Sequence, residues 1–336
     1  LDAVGALPGL EHGSLLRDSV ALALASGCPS VDVLLAHVEG GTAQDLTEPR
    51  ALDLLTRALG EVPGTVVVFP DAAGLPDVPR HDLENLVRVV QAYGPTLSTH
   101  FQVGVADLPL APEPVWRNAL RRMRHHDVCL AAWTGPDHAL DQHGWRCASA
   151  WLGGRIAGLA TPMESVVGAT LEIPGGRVVP RGRHAWLGRP PRHHRLPDLA
   201  SGAVAELRLH DGRVTIGSEP TLREPVGAWD VPLLRTSKIL HQRLVITANL
   251  FVFREATEAN AILLQQALQM ALEDFVRRDV VGGPESDRPQ VHCIPDRNPA
   301  QPALIATVRA FLKPWVREMR LELAVRPGEA VVLEVA

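Results

Sequence analysis

Histidines and acids at ligand-like spacing are the residues best equipped to do chemistry in this chain. His138-x-x-Asp141-x-His143 would set three donors on one loop. His184, His193 and His194 sit on a second loop, and His125-His126-Asp127 form a third group. Imidazole nitrogens and carboxylate oxygens suit zinc or iron. No HExxH accompanies them, nor an HxH with a distant acid. In a chain with 14 histidines, exposed loop histidines are the preferred reading. A metal-dependent enzyme using this His-rich middle stays as an alternative.

Nucleophiles and phosphate cradles have weaker signals. There is no GxSxG elbow, and Ser14, Ser98, Ser149 and Ser218 lack any local signature. Cys129 and Cys147 have apolar neighbours, which predicts inert packed thiols. The four cysteines, Cys28, Cys129, Cys147 and Cys293, form no CxxC pair, so a zinc ribbon is excluded and reduced thiols are expected. No GxxxxGK[ST] occurs. Gly153-Gly154-x-x-x-Gly158 lacks the dinucleotide spacing and reads as close backbone packing.

The chain that must position these residues has 336 of them and a net charge of −5. That balance opposes a dedicated nucleic-acid binder, which needs a basic footprint. Apolar residues make up 46% and charged residues 21%, which suits globular domains and excludes disorder or coiled coil for the bulk. The run Leu244–Phe253 is too short to span a bilayer. Leu1-Asp2 opens without a basic leader region, and the missing Met predicts a start that is processed, trimmed or incomplete.

The first part alternates helix and strand patterns. Leu15–Ala25, Pro49–Leu59, Asp82–Tyr93 and Val115–His125 have helical spacing. Val31–Leu35, Thr65–Phe69 and Asp127–Trp133 read as buried strands. The expected fold is an α/β core domain over residues 1–207, with a mixed, mostly parallel sheet and flanking helices. Residues 135–197 are expected to be irregular, with many Pro, Gly and His. Residues 208–336 read as a smaller α+β C-terminal domain. There, Arg243–Phe253 reads as a strand and Thr257 as the N-cap of a helix over Ala259–Arg278, stopped by Gly282-Gly283-Pro284. Strands follow at Gln290–Ile294, Ala306–Leu312, Met319–Val325 and Val331–Val335. The last, Val331, Val332, Leu333, Glu334 and Val335, either pairs with Met319–Val325 as a hairpin or adds to a neighbouring subunit. Arg277-Arg278-Asp279 ends the long helix, as cations favourable to its dipole or as a charged contact.

The order of these segments resembles contractile tail sheath proteins. Those proteins form the outer tube of myovirus tails, R-type tailocins and extracellular contractile injection systems. The resemblance runs through Arg243-Leu244-Val245-Ile246, Phe253–Asn260, Leu272-Glu273-Asp274-Phe275-Val276, Val281-Gly282-Gly283, Val291-His292-Cys293 and Asn298-Pro299. Val308–Leu312, Pro314 and Glu318 continue it, and Val316-Arg317 stands where the family has a second Pro. Upstream, His210–Leu222 and Trp151–Thr161 are similar to family segments more loosely. The family's glycine after the Asn-Pro step is missing, and its extended N-terminal arm is expected to be absent or removed. The resemblance implies a structural, non-enzymatic subunit that needs no cofactor. It implies self-assembly into stacked rings of a helical sheath around an inner tube protein, contacting baseplate and terminator or cap proteins. It implies no nucleic-acid partner and no direct membrane insertion. Assembly in the bacterial cytoplasm, as part of a phage tail or tail-like particle, follows. Val331–Val335 would be the subunit-linking strand, and Arg277 and Arg278 the tube-facing residues. A non-contractile sheath-like adaptor or cap is the other structural reading.

Overall fold

The computed structural model describes residues 15–34, 49–61, 65–70, 79–108, 113–134, 148–168, 170–172, 203–210, 213–223, 229–282, 288–296, 302–313, 317–326 and 332–335. The chain divides into two compact units, Leu1–Val231 and Pro232–Ala336. The first carries α1 (Leu15–Ala25), α2 (Pro49–Glu61), β1 (Val66–Phe69), α3 (Pro79–Thr99), β2 (Val103–Asp107), α4 (Glu113–Met123) and β3 (Val128–Thr134). It continues through α5 (Ala148–Ala157), β4 (Thr170–Glu172), β5 (Val204–His210) and β6 (Arg213–Ile216). The second carries α6 (Val231–Asn249), α7 (Glu258–Arg277), β7 (Gln290–Asp296), β8 (Ala303–Leu312), β9 (Arg317–Val325) and β10 (Val332–Val335). No described helix is long and apolar enough to cross a membrane.

The first sheet is mixed and mostly parallel, in the order β1-β2-β3-β5-β6-β4. β1, β2, β3 and β5 run parallel, while β6 turns back against β5 and pairs with β4. All five residues of β2 are buried, because a parallel strand has helices over both faces. The period of two sorts the side chains. Ala106, Val128 and Leu130 join the core formed with Leu83, Leu86, Val90 and Tyr93 of α3 and Met123 of α4. Val105, Cys129 and Ala131 join Leu22 of α1 and Trp151, Leu152 and Ile156 of α5. The helical spacing read over Asp82–Tyr93 thus corresponds to the face of α3 that packs.

The Gly153-Gly154-x-x-x-Gly158 run lies on α5 and its end, and it does serve close packing. A Cβ at Gly154 would stand 2.4 Å from the Ala23 carbonyl oxygen, and one at Gly158 2.4 Å from that of Gly27. α1 and α5 therefore touch backbone to backbone, a distance that only glycine permits.

Several expectations need correction. Residues 31–34 form no regular structure; a short β-branched run makes a strand only where a neighbour supplies the ladder. Residues 135–197 are not uniformly irregular, since α5 and β4 lie within them. The expected domain boundary at 207/208 falls inside β5, which is paired on both sides into the first sheet. Arg243–Phe253 is not a strand: α6 runs on to Asn249 and ends in a turn. Leu233, Ser237, Leu240, Leu244 and Ala248 of α6 are all buried. That spacing of three and four outweighs the few tenths of a kcal/mol by which Val245, Ile246 and Thr247 disfavour helix.

Candidate functional site

The second unit is built around α7. The Thr257 hydroxyl accepts from the Asn260 N–H at 3.3 Å, the N-cap read from sequence. Leu264, Leu268 and Leu272 are buried, and α7 packs on β7 and β8. The helix stops before its expected glycine signal. Asp279 takes φ 59, and the chain then bridges β8 through Val281 opposite Leu312. Gly282 N–H donates to the Phe311 carbonyl at 2.9 Å, and Lys313 N–H donates to that of Val280 at 3.0 Å. The Lys313 ammonium also pairs with the Asp279 carboxylate.

These contacts anchor the last turn of α7, and so the backbone that carries Arg277 and Arg278. Both side chains are exposed, and Arg278 pairs with Asp274 one turn back at 3.2 Å. Such a pair contributes only about 0.3–0.5 kcal/mol. α7 also exposes Ile262, Leu263, Met270 and Val276.

The second sheet is antiparallel, in the order β10-β9-β8-β7. Val332–Val335 pairs with Ala324–Leu321 as an ordinary hairpin within the chain, and Val331 lies outside the described residues. Among the described residues β10 is nevertheless an edge strand, with no further strand paired to its second edge.

The chemistry-bearing residues come together only in part. His138, Asp141, His143, His184, His193, His194, Cys147 and Ser14 lie outside the described residues. No group of three or more metal-ligating side chains occurs among the described ones. In the third histidine group, Asp127 is buried and pairs with Arg223 at 3.2 Å, whose guanidinium lies 4.5 Å from the Trp229 ring centroid. Burial, with a smaller contribution from His125, lowers the His126 pKa against the pull of Asp127. Burial pushes the Cys129 thiol up, and the Cys293 thiol up to about 12. Both therefore stay protonated at neutral pH, and for Cys129 this is the inert packed thiol that its apolar neighbours predict.

One polar pair was not anticipated from sequence. Asp107, at the carboxyl end of β2, accepts the Ser149 hydroxyl at 2.6 Å and the Ser149 N–H at 2.9 Å. It caps α5 from another element and satisfies donors that a helix start leaves open. Burial pushes its carboxyl up to about 7, against the lowering effect of the Ser149 and Ala148 donors. A carboxyl whose folded pKa is raised gives stability that is complete below its unfolded pKa. That stability is lost as pH rises through about 7. Melting temperature is therefore expected to fall between pH 5 and pH 8, and Asp107→Asn to flatten that slope. An unchanged slope in the variant would place the titrating group elsewhere.

No known family matches the sequence, and no curated protein matches it. Solved structures do. A chain of the anti-feeding prophage (AFP) baseplate aligns with a TM-score of 0.55 at 14% identity, over 86% of this chain and 73% of that one. A chain of an extracellular contractile injection system, the PVC sheath complex in its contracted state, aligns with a TM-score of 0.53 at 15% identity. That alignment covers 100% of this chain and 84% of the other. The likeness is one of fold.

Proposed function

We propose that the chain is a structural subunit of a contractile tail sheath, which polymerises around an inner tube and contracts to drive the tube through a target envelope. The observation that carries this reading is the fold shared with the PVC sheath chain along all of the present chain. The sheath-like sequence segments from Phe253 to Glu318 support it as well. No cofactor takes part in such a role. Strand-addition contacts are individually modest, and many linked ones act together. Contraction is then a rigid-body rearrangement of subunits, each ring biasing the next. In this reading β10 links subunits, and Arg277 and Arg278 face the inner tube.

The likeness to a chain of the AFP baseplate favours a second reading, a sheath-like adaptor or cap that does not contract. Electron microscopy of the high-speed pellet separates the two. Long hollow striated tubes support the sheath, and single rings or short stacks support the adaptor. For the tube-facing residues, Arg277→Glu with Arg278→Glu is expected to weaken co-sedimentation with the inner tube about tenfold while leaving self-assembly intact. Unchanged co-sedimentation would remove both residues from that surface.

A further inference from the structure

The second sheet has two edge strands, and they are not equivalent. In an antiparallel ladder, residues alternate between pairs that exchange hydrogen bonds and pairs whose backbone groups point away from the partner. Cys293 stands opposite Ala306 of β8. Its N–H nevertheless donates to the Gln265 side-chain oxygen of α7, at 3.2 Å. Cys293 therefore belongs to the outward-pointing set of β7. Val291 and Pro295, two residues away on either side, share its parity and stand opposite Val308 and Leu304.

Two of the three outward N–H donors of β7 are thus closed. The Cys293 N–H is taken by Gln265, and Pro295 has no N–H to offer. Val291 keeps the remaining outward donor. Beyond Gln290, the first residue of β7, the same flank of β8 is filled by Val280–Gly282 through the bonds of Phe311 and Lys313. α7 thus reaches this flank twice, with its Gln265 side chain and with the backbone that follows it. Proline and covering side chains are how native sheets keep an edge from recruiting foreign strands.

We infer that Gln265 and Pro295 form a block that refuses strand addition at β7, so that this sheet accepts a partner strand only along β10. The block is a property of the sheet. Its consequence for assembly rests on the sheath reading. Two sheets that each have one accepting edge can meet edge to edge only as a closed two-fold pair. A growing helical polymer instead needs a donor strand that comes from outside the partner's sheet.

Amide-resolved hydrogen exchange on the intact wild-type chain tests the block without any variant. The Cys293 amide is expected to exchange about tenfold more slowly than the Val291 amide. Gln265→Met should bring Cys293 to the rate of Val291, while the His292 and Ile294 amides, which face β8, stay protected. Equal rates at Cys293 and Val291 in the wild type would overturn the block. The second arm uses Gln265→Met with Pro295→Thr in a chain whose β10 carries Leu333→Pro and Val335→Pro. Sedimentation velocity is expected to show concentration-dependent self-association there, and only monomer in the β10 variant alone. A folded quadruple variant that stays monomeric would overturn the inference. Both readouts hold whether or not the wild type forms tubes, so failure of the sheath reading and failure of the block are told apart.

Discussion

Replacing Gly154 with alanine is expected to destabilise the first unit by about 2–3 kcal/mol, the upper part of the range for overpacking. The added methyl would sit 2.4 Å from the Ala23 carbonyl oxygen and 2.6 Å from its Cα, both backbone atoms of α1. Backbone cannot swing aside as a side-chain tip can, so α1 and α5 must separate. The gain of about 1 kcal/mol that Ala normally brings to a helix interior offsets only part of this. Gly153 is the internal control. A Cβ there meets a Val68 methyl at 2.4 Å, a side chain on β1. Gly153→Ala should therefore cost less than Gly154→Ala. Denaturation followed by the fluorescence of Trp151, buried in α5 beside both glycines, reads the two midpoints. A Gly154→Ala chain as stable as wild type, or the reverse order of the two variants, would contradict backbone contact between α1 and α5.

Leu333→Pro combined with Val335→Pro is expected to abolish polymer formation while leaving a folded monomer. Proline removes the donors at both positions, which share one edge of β10 because their spacing is two. Each lost ladder bond is worth only about 1 kcal/mol, but the loss recurs in every subunit of a multivalent assembly. The monomer should survive because β10 has four residues at the sheet margin, while β7, β8 and β9 pair among themselves and β7 and β8 pack against α7. Circular dichroism checks the fold, and pelleting checks the assembly. Normal tubes from this variant would end the role of β10 as a linking strand.

Sequence made the strongly periodic elements plain. The stripe on α3 and the leucines of α7 recur at helical spacing and lie in the cores they implied. The strand at Met319–Val325 was equally plain, while its hairpin with β10 was only one of the two pairings the sequence left open. α6 is hidden because Val245-Ile246-Thr247 is locally β-like, while the buried spacing that fixes the helix begins well upstream at Leu233. The glycines of α5 were legible as close packing, though not as contacts to α1 in particular. Asp107 and Ser149 were opaque, since they lie 42 residues apart and neither sits in a motif. Gln265 and Cys293, 28 residues apart, were hidden for the same reason. Pairings of this kind exist only once topology brings the end of a strand to the start of a helix, or a helix side chain to a sheet edge.

The central claim is polymerisation into a sheath, and it is tested most directly by negative-stain electron microscopy of the high-speed pellet from the protein expressed with its complete coding sequence. The sheath reading predicts hollow striated tubes. Dispersed, folded monomers at every concentration, with nothing in the pellet, would contradict it.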